Sequence, residues 1–600
     1  MKRFALYMTA SALLFAGACE KVEDVTPAAS EATTDARLTV LTDAAINGTT
    51  ISSESTVAGL ISDATTGKGI AGVPVSDGYT FTVTDANGVY QMQRNSLTRK
   101  VYYTTPASYK VSMDDATHNP AFYSPGFMSK DVRYRVDFKL EPLEAAEDNF
   151  TLVMVGDPQC YQYSEVVRYN DETMADIKSY VGEKGKQNVY AMTLGDIVFD
   201  NSYIWEEMKA TMSNIQIGGK YVPFFQVIGN HDHDSLVSDG TDLSDNDYRA
   251  VAKYVEYFGP TDYSFNRGKA HIVVMDDVLA SDITSSGKPN RKTWNYFGGF
   301  TASQYEWLKQ DLALVTDKEN TLLIFCTHIP FRGGSNEYDS DGVANGASVN
   351  RTRYYNEFLD LMTDFKEAHI MIGHTHYPQN YIHTGKVCAG GQPIYEHVHQ
   401  AACGAWWAAD CSVSGAPNGY NVYDIQGTTV QDWVNKGTNK PEDYQLRVYD
   451  GTQIYTGTKK YSLNWYTASQ KAGTITIKGA AAYKNCVVVE AWDDDDANCT
   501  VEFWQNGEKV GNFTKVGNGT SANVAVCSYW FNEQAKSTST WASTAACHYW
   551  YYKPASGNPS EETGWEVRFT RRIPSSGVEH VYTRSDLTTD YSEFDYSLKQ

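Results

Sequence analysis

The chain has 600 residues, too many for one hydrophobic core, so three or four domains are expected. An apolar fraction of 42% is enough for globular cores, and 42 Tyr with 13 Trp favour strand-rich parts. A net charge of −23 argues against a nucleic acid binder, which needs clustered Lys and Arg, but it leaves phosphate esters open because bound metal ions reverse the local field.

Lys2-Arg3 precedes an apolar run from Phe4 to Phe15, then small residues up to Cys19. That run is too short to span a bilayer and reads as a signal peptide over 1–19. Ala16-Gly17-Ala18-Cys19 resembles a bacterial lipobox. The resemblance implies export, with Cys19 lipid-anchored to the outer membrane or cell surface; a soluble periplasmic protein is the alternative. This anchor is the only expected membrane contact. Residues 20–54, rich in Ala, Thr, Asp and Glu, read as a tether without fixed structure. Ten Cys less Cys19 leaves an odd nine. Cys403/Cys411, Cys486/Cys499 and Cys527/Cys547 are conceivable disulfides, while Cys160 and Cys326 are expected to pack.

Residues 55–147 alternate apolar and polar around Asp/Asn-Gly turns, as in Val57-Ala58-Gly59-Leu60-Ile61 and Thr80-Phe81-Thr82-Val83 before Asn87-Gly88. They read as a small β-sandwich, and the order resembles a transthyretin-like domain, which implies a spacer or prop. Residues 148–428 alternate strands (Phe150 to Val155, Val189 to Leu194, Val222 to Ile228, His271 to Met275, Thr321 to Phe325, His369 to Ile372) with helices around 165–180, 203–215, 248–258, 301–314 and 354–365. This predicts a layered α/β domain. Residues 429–600 carry short strand-like runs, among them Cys486 to Trp492 and Asn523 to Phe531, and read as an all-β domain. The run Asp493-Asp494-Asp495-Asp496 is either a calcium loop or a solvated turn, and calcium-loop spacing is missing.

Five strand ends of the middle domain finish in metal-ligand residue types: Gly156-Asp157-Pro158-Gln159, Gly195-Asp196, Gly229-Asn230-His231-Asp232, Thr327-His328 and Gly373-His374-Thr375-His376. Each alone is an ordinary turn or cap. Together, at the carboxyl edge of one α/β domain, they mark a site. Carboxylate, imidazole and amide oxygen suit manganese, zinc or iron.

This order resembles the calcineurin-like metallophosphoesterases, with flanking domains like those of an exported bacterial subgroup. The implied fold is a layered β-sandwich core between an N-terminal β-sandwich and a C-terminal all-β domain. The resemblance implies two divalent metal ions: Asp157 and His376 on the first, Asp196 bridging, and Asn230, His328 and His374 on the second. Gln159 stands where the family has His, which implies a looser first site. His231 would assist the leaving group, with Asp232 orienting its ring. Phe199 replaces the tyrosine of purple acid phosphatases, so no tyrosinate chromophore is expected.

Arg332 and Tyr161 are candidate substrate contacts, with Asn336, Tyr338, Arg351 and Arg353 in nearby loops and 333–350 as a lid or a plain loop. His397, His399, Trp406 and Trp407 either line the cleft or pack at the domain junction. The implied activity is hydrolysis of a phosphate mono- or diester by a metal-bridging hydroxide. A catalytically impaired scaffold that binds surface glycoconjugates is the alternative, motivated by Gln159.

Overall fold

The computed structural model describes residues 35–234, 243–281, 295–331, 355–412, 414–456, 461–517, 521–534, 547–591 and 593. The signal peptide, Cys19, Arg332, the 333–350 loop, Asn336, Tyr338, Arg351 and Arg353 lie outside them. No described helix is long and apolar enough to cross a membrane.

The N-terminal domain is the expected β-sandwich. Val57–Asp63 is its central strand, paired with Val89–Met92, Tyr134–Arg135 and Phe138–Leu140. Its start is earlier than the composition implied. Thr39–Val40 pairs with Tyr134–Arg135, and Leu38, Leu41, Ile46 and Ile51 are buried. The second half of the presumed tether is therefore folded, because its few apolar residues suffice to cover one edge of a small sheet. The domain docks on the core through Phe122 against Tyr263 (ring centroids 4.9 Å) and through the Trp307 indole N–H, which donates to Ser76 Oγ at 3.0 Å.

The core is two packed sheets. The first uses β1 (Asn149–Val155), β2 (Val189–Leu194) and β3 (Phe224–Val227), all parallel, in the order β3-β2-β1. The second contains β4 (Tyr263–Arg267), β5 (Ala270–Val274), β6 (Leu322–Cys326), β7 (Glu367–Ile372), β8 (Gln379–Val387) and β9 (Pro393–Val398), ordered β4-β5-β6-β7-β9-β8. Two later strands complete the first sheet: β10 (Gly419–Gln426) pairs antiparallel with β1, and β11 (Thr429–Gly437) pairs antiparallel with β10. The expected boundary at 428/429 thus falls inside a hairpin turn, and the core extends to Gly437. β1, β3, β5, β6 and β7 are buried almost throughout, as continuous apolar runs in parallel sheets should be.

The C-terminal domain is mostly strands, with one correction. Asn523 to Phe531 is helical, Val524–Ser528 followed by a π turn, with the Asn523 side chain accepting the Val526 N–H at 3.0 Å. Its residues are buried on every side, so no period separated strand from helix. The aspartate run is neither a calcium loop nor a solvated turn. Asp493 pairs with the buried Arg571 guanidinium and accepts from Asn380 of β8 at 3.1 Å; Asp494 accepts the Trp550 indole N–H at 2.8 Å; Asp495 accepts the Tyr395 hydroxyl of β9 at 2.7 Å. Only Asp496 is exposed. The run pins this domain to the core. All nine described cysteines are buried, and none of the three conceivable disulfides is present among them.

Candidate metal centre and active site

Parallel strands β1, β2, β3, β6 and β7 all deliver their carboxyl ends to one edge, and every ligand candidate sits in the loop that follows. These loops are tight. Gly195 has φ +88°, and a Cβ there would lie 2.3 Å from His328 Nδ1; a Cβ on Gly229 would lie 2.1 Å from the Asp196 nitrogen. Backbone strain concentrates here as well. Among the described residues, fourteen non-glycine residues have positive φ, and eight of these are Asp157, Gln159, Asp196, Asp200, His374, His376, Trp406 and Trp407.

Asp157, Asp196, Asn230 and His328 are buried, and their contacts converge. His328 Nδ1 donates to the Leu194 carbonyl at 2.7 Å, which leaves Nε2 as the ligating nitrogen. That Nε2 lies 3.1 Å from Asn230 Oδ1, 3.2 Å from His374 Nδ1 and 3.3 Å from Asp196 Oδ1. On the other side, His376 Nε2 lies 3.6 Å from Asp157 Oδ1. Ligands about 2.1 Å from a shared ion stand no more than about 4.2 Å apart, so these separations fit. Asp196, His328 and His374 form one group and Asp157, Asp196 and His376 another, with Asp196 common to both.

The charges fit a cation too. Burial, with Asp196 adding, raises the Asp157 carboxyl well above its usual range. Two buried carboxylates side by side repel until a positive charge joins them. Burial drives His376 down to about 4 and lowers His374 further, with the neighbouring His328 adding to both shifts. Both are thus neutral imidazoles, the form that ligates. His328 is the exception: burial pulls it down, but Asp196 and Asp157 outweigh this and raise the ring to about 10, so a cation bound at Nε2 would have to displace a proton.

Three residues depart from expectation. Gln159 is buried beside the first group, but its Nε2 donates to Asp196 Oδ2 at 2.9 Å, while Oε1 faces Cys403 Sγ at 3.9 Å. As placed, it braces the shared carboxylate; a half-turn of the amide would present oxygen instead. Asp232 does not orient His231. Its carboxylate accepts the backbone N–H groups of Ile197 and Val198 at 3.1 Å and of Gly229 at 2.9 Å, tying the loop after β2 to the loop after β3. The orienting carboxylate is Asp200, whose Oδ1 lies 2.9 Å from His231 Nδ1. Burial pulls His231 down, yet Asp196 and Asp200 outweigh it and raise the ring to about 9. Asp200 was missed in sequence; its signal is its place four residues after Asp196.

Phe199 stacks on His231 with centroids 4.4 Å apart, and Tyr161, more than half exposed, stands at the Phe199 edge. Trp406 lies 4.9 Å from the His376 ring. Trp407 is buried, donating its indole N–H to the Pro158 carbonyl at 3.0 Å. His397 and His399 are fully enclosed; His399 Nε2 bonds the Tyr423 hydroxyl at 2.9 Å. Of the four junction residues, Trp406 alone faces the site.

Two sheets with buried carboxylates, imidazoles and an amide gathered at one strand-end edge define a layered α/β protein built around a cluster of candidate metal ligands. The chain belongs to the calcineurin-like phosphoesterase family. The family's core description, "Calcineurin-like phosphoesterase", matches residues 150–378, its N-terminal domain 55–143 and its C-terminal domain 396–575. Among solved structures, purple acid phosphatase PPD1 from yellow lupin (Lupinus luteus) seeds is similar at 17% identity over 53% of this chain and 48% of that one, TM-score 0.28. The NAD nucleotidase NadN of Haemophilus influenzae is similar at 11% identity over 46% and 47%, TM-score 0.23. The chain thus spans about half the length of each. No curated protein sequence matches it.

Proposed function

We propose that this protein hydrolyses a phosphate mono- or diester at a centre of two divalent metal ions sharing Asp196. The supporting observation is the Asp200–His231 pair beside the two ligand groups. A pure binding scaffold has no use for a histidine ring held in one orientation by a carboxylate 2.9 Å away. Asp157, Asp196 and His376 would hold one ion; Asp196, Asn230, His328 and His374 would hold the other. When bound, such ions withdraw charge from the phosphoryl oxygens and lower the pKa of water. Asp200 Oδ1 takes the His231 Nδ1 proton in a hydrogen bond, so Nε2 carries the proton that can pass to the departing ester oxygen. The Phe199 ring fixes the plane of the imidazole. Manganese, zinc and iron all suit this donor set. Export and a lipid anchor on Cys19 complete the proposal; they rest on residues 1–19 of the sequence.

The test is hydrolysis of p-nitrophenyl phosphate and bis-p-nitrophenyl phosphate with added Mn²⁺ or Zn²⁺, beside Asp196→Asn and His231→Ala. Metal-dependent turnover lost in both variants is expected. No turnover on either compound, or full activity in the variants, would refute the reading. The ratio of the two rates sets mono- against diester preference.

A further inference from the structure

Three histidines of the centre each have an aromatic ring against them. Phe199 is stacked on His231, Tyr296 stands edge-on to His374 at 6.2 Å, and Trp406 lies tilted over His376 at 4.9 Å. Phe199 is occupied by its histidine, and the Tyr296 hydroxyl is pushed up by burial and by Asp196, Asp200 and Asp157. Trp406 differs: 37% of it is exposed, although it is a large apolar residue beside a buried ligand.

Its backbone shows that this exposure is imposed. Trp406 and Trp407 have φ +49° and +59°, a region that bulky side chains enter only when their surroundings force them. The forcing contacts belong to Trp407. Its indole N–H is held by the Pro158 carbonyl, its own carbonyl accepts from Arg168 Nη1 at 2.6 Å, and the Arg168 guanidinium lies 4.8 Å over its ring. The segment is closed by the Trp407 N–H on the Cys403 carbonyl at 2.7 Å. With Trp407 locked inward, Trp406 projects outward over the first ligand group. Simple burial of two indoles would not need two consecutive left-handed residues.

We propose that Trp406 is a specificity-determining residue, an indole platform on which the organic arm of the phosphate ester lays a ring face. The inference rests on the phosphoesterase reading and narrows it to ring-bearing esters, aryl or pyranosyl, over acyclic ones. An indole gains from stacking on a flat aromatic ring and from covering the apolar face of a sugar, whereas a short flexible chain offers neither surface.

The test compares phenyl phosphate, glucose 1-phosphate and glycerol 3-phosphate on the full-length Mn²⁺-loaded enzyme, Trp406→Ala and Trp406→Phe. Binding of the same three compounds is measured by equilibrium dialysis in the His231→Ala background, with and without Trp406→Ala. Trp406→Ala should raise KM for one or both ring esters about tenfold, with kcat within about twofold, and leave glycerol 3-phosphate unchanged. Trp406→Phe should recover most of the loss. Which ring ester responds distinguishes an aryl from a sugar arm. Equal losses on all three compounds, or none, would overturn the platform. Trp406-dependent ring-selective binding without turnover would sink the hydrolase reading and leave the platform standing; neither binding nor turnover would remove both.

Discussion

The exchange of roles between Asp200 and Asp232 makes opposite demands on two variants. Asp200 is 40% exposed, so loss of its ion pair with His231 costs at most about 1 kcal/mol of stability. Its effect falls on the ring. Asp200→Asn frees the imidazole to rotate and lowers its pKa from about 9 toward the unperturbed value near 6.5, since one of its two main supporting charges is gone. A decrease in kcat of about 100-fold is expected, the size seen when an orienting partner is removed, with the basic limb of the pH profile moved downward. Asp232 is 1% exposed and satisfies three backbone N–H groups. Asp232→Ala leaves them unpaired at about 1–3 kcal/mol each, partly relieved by water, so about 3–5 kcal/mol in all. Calorimetry of the metal-loaded protein should show a Tm lower by about 5–10 °C for Asp232→Ala and almost unchanged for Asp200→Asn. A kcat retained in Asp200→Asn, or lost in Asp232→Ala without loss of Tm, would refute the assignment.

The first ligand group should be the weaker: metal titration of the chelated protein is expected to show two unequal sites, and Gln159→His should tighten the weaker one by about tenfold, checked by equilibrium dialysis. Asp493→Ala strands the buried Arg571 guanidinium at the junction with the C-terminal domain, at a cost of about 3–5 kcal/mol, and should split one calorimetric transition into two. In the C-terminal domain, burial works against charge on His548, but Cys547 and Glu490 raise it to about 10. Its folded-state pKa exceeds the unfolded value near 6.5, so its stabilisation is complete below about pH 6.5 and is lost as pH rises through about 10. Tm should fall over that window in the parent and fall less in His548→Gln.

The convergence of the candidate ligands was legible because parallel strands are unbroken apolar runs, and a polar residue just past each run has nowhere to go but the shared edge. What failed depended on side-chain direction or distant partners. Asp232 and Asp200 both stand near His231, and only the path of the loop after β2 decides which carboxylate meets the ring. The aspartate run looks solvated until Asn380, Tyr395 and Arg571, remote in sequence, are brought against it. Trp406 and Trp407 are adjacent and identical in type, and two left-handed backbone angles send one inward and the other out.

The antiparallel pairing of β1 with β10 has a consequence for how the chain is made. Thr151 sits opposite Asp424, so one edge of β1 stays open while all the residues between them are synthesised. At about 5–20 residues per second that interval is roughly 15–55 s. The last of the candidate ligands, His376, leaves the ribosome before β10 does. Until then the chain holds every candidate ligand residue on a half-built sheet, with one edge of the strand before Asp157 open to the wrong partner. The sheet behind the candidate centre is therefore completed only by the hairpin that ends at Gly437, after every residue of that centre is already in the chain.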